Sequence, residues 1–350
     1  MIRFAWLQSR TQTAVAIAAL AMIALTLALT GPHLAHLYGT LIAPCIGDGS
    51  CSPTTLGLFQ RNHRLLRGWL SIGITVIPGL IGVFWGAPLV ARELESGTFR
   101  LAWTQSVSRT RWITIKLAIT LLISMVVVGL MSFMITWWAH PLDRVRNDVF
   151  STFDVRDIVP IGYAAFGFVL GVTFGVVIRR TLPAMASVVV VFTAARVAMN
   201  QWLRPRLIAP LHLVAALDPE SIGFGRSNDG PANLQPGGPN IPNAWIYSKH
   251  IVDSAGHALT PEALASTCPS LNDALPPPPS GDGVRTQVPT QVKNSLQDCI
   301  TKVGAKYHEV VAYQPGSRYW AFQWYELAIF LGASAVLAAA CIWWIRRRAT

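Results

Sequence analysis

The chain has 350 residues, 52% of them hydrophobic and only 13% charged, with a formal net charge of +11. This composition excludes a soluble globular domain of such length and fits a multi-span membrane protein whose main solvent is lipid. The excess charge is no argument for nucleic acid, because much of it lies in arginines that fix membrane topology.

Six apolar runs can each cross a hydrocarbon core, which takes about 20 residues. They are Thr13 to Thr30, Trp69 to Val90, Ile113 to Trp138, Ile158 to Ile178, Leu182 to Trp202 and Trp320 to Ile345. Six crossings leave both termini on one side. That side carries twelve Lys/Arg near span ends, from Arg3 and Arg10 to Arg346, Arg347 and Arg348, whereas the two short loops opposite carry six. Positive residues resist translocation. Both termini are therefore expected in the cytoplasm, with the chain a multi-pass protein of the cell membrane. Tryptophans fit this map, with Trp69, Trp137, Trp138, Trp202, Trp320 and Trp324 at outer span ends, where an amphipathic indole belongs.

The first residues, MIRFAWLQSR, have two readings: a short helix in the inner interface that turns into the first span, or an ordinary cationic flank. Signal-peptide cleavage is disfavoured, since the apolar run is long and no clear A-x-A site follows. In the first outer loop stand Cys45 and Cys51; Cys268 and Cys299 share the large outer segment, and Cys341 is alone in the last span. Four outer cysteines allow three pairings, of which two local bridges are the expected one.

Between the second and third spans lies a polar insert, Ala91 to Lys116, too long and too charged for a plain turn. Arg92, Glu93 and Glu95 follow the span directly, Gly97 breaks the helix, and Thr98 can cap a new one. That second piece sets Phe99, Ala102 and Trp103 on one face. It reads either as a docking element or as an amphipathic turn resting on lipid.

Within the membrane the costly residues are few. Arg196 and Asn200 lie four apart on the fifth span and Glu326 at similar outer depth on the sixth, so they either meet or snorkel separately to the headgroups. Residues 1–202 are read as the first part of the membrane domain, 203–319 as an extracytoplasmic domain, and 320–350 as the closing span with a basic tail. The outer segment is rich in Pro and Gly, with a helix expected from Pro261 to Leu275 and another from about Thr290 to Gly304, followed by a short strand. The fold class is an all-α polytopic membrane protein with a small disulfide-stapled outer domain.

No G-x-x-x-x-G-K-[ST] loop is present, and none of the five lysines follows a glycine. ATP and Mg, if used, belong on another chain, and this chain is expected to bind no cofactor and no metal. Neither H-E-x-x-H nor G-x-S-x-G occurs.

The run ARELESGTFRLAWTQSVSRTRWITIKL resembles the six-span permease subunits of ATP-binding-cassette type 2 exporters, in its E-x-E-x-G-T followed by V-S-R-x-x-W and a lysine. The span count and the short RRTLP turn, Arg179 to Pro183, extend the resemblance. It implies a coupling helix after the second span, seated in a cleft of a separate cytoplasmic ATPase. Glu93, Glu95, Gly97 and Thr98 would make the main contact and Arg179 and Arg180 the lesser. It also implies a second permease copy or homologue, in a two-plus-two assembly. Two other classes stay open at this level: a sensor or scaffold whose outer domain reads a ligand, and a polytopic membrane enzyme using Arg196, Glu326 and outer histidines.

Overall fold

The structure, a computed structural model, describes the chain except residues 1, 48–49, 96–108, 147, 219–221, 227–231, 240, 270–289 and 349–350. The described residues form two compact units, Met1–Ile208 with Arg318–Thr350, and Ala209–Ser317.

In the first unit six helices are long and apolar enough to cross a membrane: Ala14–Ile46, Arg64–Arg92, Leu117–Arg146, Val159–Ile178, Thr181–Leu207 and Gly316–Ile345. These are spans one to six. Most outrun the apolar stretches that announce them. Span five continues past Trp202 through a π turn, Met199–Leu203, into Arg204–Leu207. The boundary with the second unit consequently moves from 202 to 208.

The bend that one of the two readings of the N-terminus requires, between an interfacial segment and span one, is absent. One helix runs from Ile2 to Leu37, and its sequence offers no Gly or Pro before Gly31 at which to turn. Span one packs on span three: Leu27 and Leu34 share a core with Ile135, Trp138 and Ile74, and Trp138 Nε1 donates to Thr30 Oγ1 at 2.9 Å. Trp138 is thus a buried inter-helix strut, unlike its neighbour Trp137, which is 56% exposed. Its polar N–H finds a partner inside the bundle and has no need of the headgroups.

Span four is the central post. It is apolar all round, as a helix surrounded by protein must be, and Val159 through Val172 are buried at nearly every position. Glycines set the approach of span two. A Cβ on Gly171 would lie 2.1 Å from the Gly82 carbonyl oxygen, one on Gly167 2.4 Å from that of Pro78, and one on Gly175 2.6 Å from that of Ala87. Backbone therefore meets backbone along three successive turns, the close packing that small residues permit between membrane helices. Span four ends at Arg179, whose φ of 59° is left-handed, and its N–H returns to the Gly175 carbonyl at 3.2 Å.

The second unit is built on a three-stranded antiparallel sheet in the order β1 (Leu211–Ala215), β5 (Tyr307–Gln314), β4 (Trp245–Asp253), with a separate hairpin of β2 (Gly223–Arg226) and β3 (Ala232–Gln235). The helix Thr290–Gly304 and the strand after it stand where the sequence puts them. The helix at Pro261 ends at Thr267, short of the expected Leu275: Cys268 is already non-helical, as the residue before Pro269 is biased to be. The Cys268–Cys299 disulfide joins the two helices over a core of Leu264, Ile300, Val303 and Ile251. The sheet is the addition to an otherwise helical chain: β1 has only five residues, and Pro/Gly-rich flanks hide the alternation of β4.

Candidate functional site

Two features of the membrane unit bear on function, one at each end of spans two, four and five. At the end carrying the termini, the helix of span two extends to Glu95. Glu95 Oε2 accepts from Thr181 Oγ1 at 2.7 Å and from Thr181 N at 3.3 Å. These bonds from Thr181 hold the Glu95 carboxyl below the usual carboxylate range. The segment after span two is thereby tied to the two-residue turn, Arg179 and Arg180, between spans four and five. Arg92 is exposed beside it, as is Arg180. Glu93 stands on the helix, and Gly97, Thr98, Phe99 and Trp103 lie outside the described residues.

At the opposite end a cluster of charges joins the segment after span three to spans four, five and six. Arg204 Nε donates to Glu326 Oε2 at 2.8 Å and its Nη2 to Oε1 at 3.0 Å, a bidentate grip. Arg204 Nη1 reaches Asn200 Oδ1 at 3.0 Å, and its guanidinium also pairs with Asp154 and lies over the Phe153 ring. The Tyr163 hydroxyl sits between Asp154 and Glu326 and can donate its proton to either. Arg196 pairs with Asp154 at 3.7 Å and lies 3.4 Å above the Tyr163 ring. Two guanidiniums and two carboxylates make the cluster neutral. Burial, the largest influence on Asp154, pushes its carboxyl up. The Arg204 charge and hydrogen bonds, then Arg196 and Tyr163, outweigh it and leave Asp154 below the ordinary range.

The direct Arg196 to Glu326 contact does not form, and neither residue snorkels. Glu326 is fully buried against Arg204, and Arg196 reaches the same network through Asp154 and Tyr163. Arg204, Asp154 and Tyr163 are the residues sequence reasoning missed. A signal for Arg204 was present: it stands eight residues after Arg196 and four after Asn200, on one helix face. Ending the span at Trp202 concealed it.

Beside the cluster opens a cavity of 530 Å³ between span two (Ser71, Thr75, Gly79, Val83), span five (Val189, Phe192, Arg196, Asn200) and the short 3-10 segment (Ser151, Asp154). Its walls toward the bilayer centre are apolar. Its polar end holds Arg196, whose Nη1 is buried without a hydrogen-bond partner. A buried donor left unpaired costs about 1–3 kcal/mol, more when charged, so the cavity offers a ready partner site to an acceptor group. The arrangement contains paired charges and an amphipathic void but, among the described residues, no nucleophile backed by a base and no group of three metal-ligating side chains.

The structure bridges Cys45 to Cys51 and Cys268 to Cys299 and leaves Cys341 as a buried thiol. No curated protein and no solved structure matches the chain. A family model does, that of ABC-2 membrane transporter related proteins, over residues 17–204. The match takes in spans one to five, the glycine contact of spans two and four, the Glu95–Thr181 bridge and every cluster residue but Glu326. Six spans and a match over more than half the sequence agree: this multi-pass chain belongs to the ABC-2 membrane transporter-related family, with the role of a transporter permease.

Proposed function

We propose that the chain is the translocation subunit of an ATP-driven exporter in the cell membrane, paired with a second permease copy or homologue and driven by a separate cytoplasmic ATPase. The observation that carries this reading is the Glu95–Thr181 bridge. The two segments expected to contact an ATPase are far apart in sequence, yet they are hydrogen-bonded to one another at one end of the bundle. A push on the 92–111 insert is then transmitted to the turn between spans four and five as well. Because spans two and four touch backbone to backbone, they move as one body, and the cavity wall against span five is where relative motion opens a path. ATP and Mg stay on the partner, since this sequence has no phosphate-binding loop.

The test is the Glu93→Ala/Glu95→Ala variant of the full chain, affinity-purified from its own membranes. The variant inserts and keeps both disulfides, because both glutamates lie beyond the span proper and away from the cysteines, but loses the copurifying ATPase or its substrate-stimulated turnover. Thr181→Ala, which removes the shorter of the two bonds to Glu95 and leaves that from the backbone N–H, keeps ATPase binding but loosens its coupling to transport. Gln105→Ala changes little. Normal ATPase binding and transport in the double glutamate variant overturns the reading and leaves a sensor or scaffold in its place.

A further inference from the structure

At the end of the bundle opposite the termini, four arginines converge on a second cavity, of 370 Å³. Arg61 and Gln60 come from the helix Pro53–Asn62, Arg64 and Arg67 from the start of span two, and Arg146 from the end of span three. Among the described residues none of these four arginines is in an ion pair. Asp143, the carboxylate close by on span three, is committed to buried Arg156. Asp148 acts on Arg67 from a distance, while its side chain accepts the Ser151 N–H at 3.0 Å. The positive field is felt by its neighbours: Arg156 falls to about 10, through burial first and the Arg67 charge second.

The cavity is built by the fold. The Cys45–Cys51 bridge closes the loop before the short helix, Ser52 caps it through Thr54 N at 3.3 Å, and Phe59 anchors it in the core beside Leu34, Trp138 and Leu142. Four arginines outside any ion pair among the described residues run, at this end, against the topology rule that places positive residues with the termini. A ligand that repays their repulsion accounts for them. Next to them Leu58, Leu65 and Trp69 are 51%, 78% and 72% exposed, which sets the cavity at the boundary between headgroups and acyl chains.

We propose that this cavity binds the phosphate of an anionic phospholipid, with the guanidiniums forking onto its oxygens and the acyl chains passing over Leu65 and Trp69. The site is separate from the transport reading and stands whether or not that reading does.

The experiment uses the full-length protein in maltoside detergent, titrated with phosphatidylglycerol, with phosphatidylcholine of the same chains, or with inorganic phosphate. Native mass spectrometry counts retained lipid and thermal unfolding reports stabilisation. Phosphatidylglycerol is retained and raises the unfolding temperature; phosphatidylcholine and phosphate do neither. Juxtamembrane arginines contribute about fivefold each. Arg146→Gln alone therefore weakens phosphatidylglycerol binding about fivefold, and Arg61→Gln/Arg64→Gln/Arg146→Gln on the order of a hundredfold. Arg206→Gln, an exposed arginine elsewhere on the unit, leaves it unchanged. The Cys45–Cys51 bridge, read by thiol alkylation, reports that each variant has folded. Equal retention of phosphatidylcholine, equal stabilisation by phosphate alone, or undiminished binding in the triple variant overturns the proposal.

Discussion

Arg204 and Glu326 face each other across spans five and six with two parallel hydrogen bonds, at 2.8 and 3.0 Å, both side chains almost wholly out of solvent. Removing one partner of a buried pair strands the other's charge, at about 3–5 kcal/mol. Arg204→Met and Glu326→Gln each destabilise the protein by that order, and the double variant recovers part of the loss. Arg196→Met couples instead to Asp154→Asn. Double-mutant cycles read by thermal unfolding in detergent check both; strictly additive losses for Arg204 and Glu326 contradict the geometry.

Gly171→Ala drives a methyl into the Gly82 carbonyl, 2.1 Å from the new Cβ. Backbone on both sides cannot yield as a flexible side chain would, so the cost is about 1–3 kcal/mol or more. Gly332→Ala, on span six with nothing within 4 Å, is neutral or stabilising by up to about 1 kcal/mol through helix propensity. Thermal stability of the two purified variants separates these outcomes.

Glu309 on β5 is 1% exposed and burial raises its carboxyl above the ordinary value, although Gly238 N–H and Lys249 oppose this. A raised value means the folded state holds the proton more tightly. This contribution is complete below the unfolded-state pKa and is lost as pH rises through the folded one. Hydrogen-exchange protection of the β1–β5–β4 sheet in the full-length protein, corrected for the intrinsic pH dependence of exchange, should therefore fall as pH rises through the folded value. Glu309→Gln removes that trend.

Two disulfides and one thiol give a mass test. Alkylation before reduction labels only Cys341, and that only after unfolding, since it is buried. The Cys268–Cys299 bridge closes a separation of 31 residues, and its loss costs the second unit about 3–4 kcal/mol by chain entropy. Cys268→Ser/Cys299→Ser should loosen the helices over Leu264 and Val303, seen as faster hydrogen exchange there.

The six spans were legible because an apolar run of about 20 residues matches the thickness of a hydrocarbon core, and a water-soluble fold seldom asks for one. Both disulfides follow from loops with two cysteines apiece. The partners of Glu326 were not legible. Arg204 lies beyond the last apolar residue, and Asp154 looks like one of four acids offsetting a basic loop until the 3-10 turn Phe150–Val155 carries it inward. Spacing along one helix can be read from sequence, whereas a meeting of four segments depends on how they pack. The unbroken N-terminal helix shows the same limit from the other side: a turn into span one needed a breaker, and the sequence has none before Gly31.

Span four has 20 residues, about 30 Å at 1.5 Å each, close to the hydrocarbon thickness. The other five spans run from 27 to 33 residues and must tilt or project to fit. Because the shortest rod is also the one sheathed by protein, a thinner or thicker bilayer pulls on its neighbours and hardly at all on it. Span four is the molecule's internal measure of thickness. Lipid composition can change the slant of the surrounding spans while the depth at which Tyr163 holds the charge cluster stays fixed.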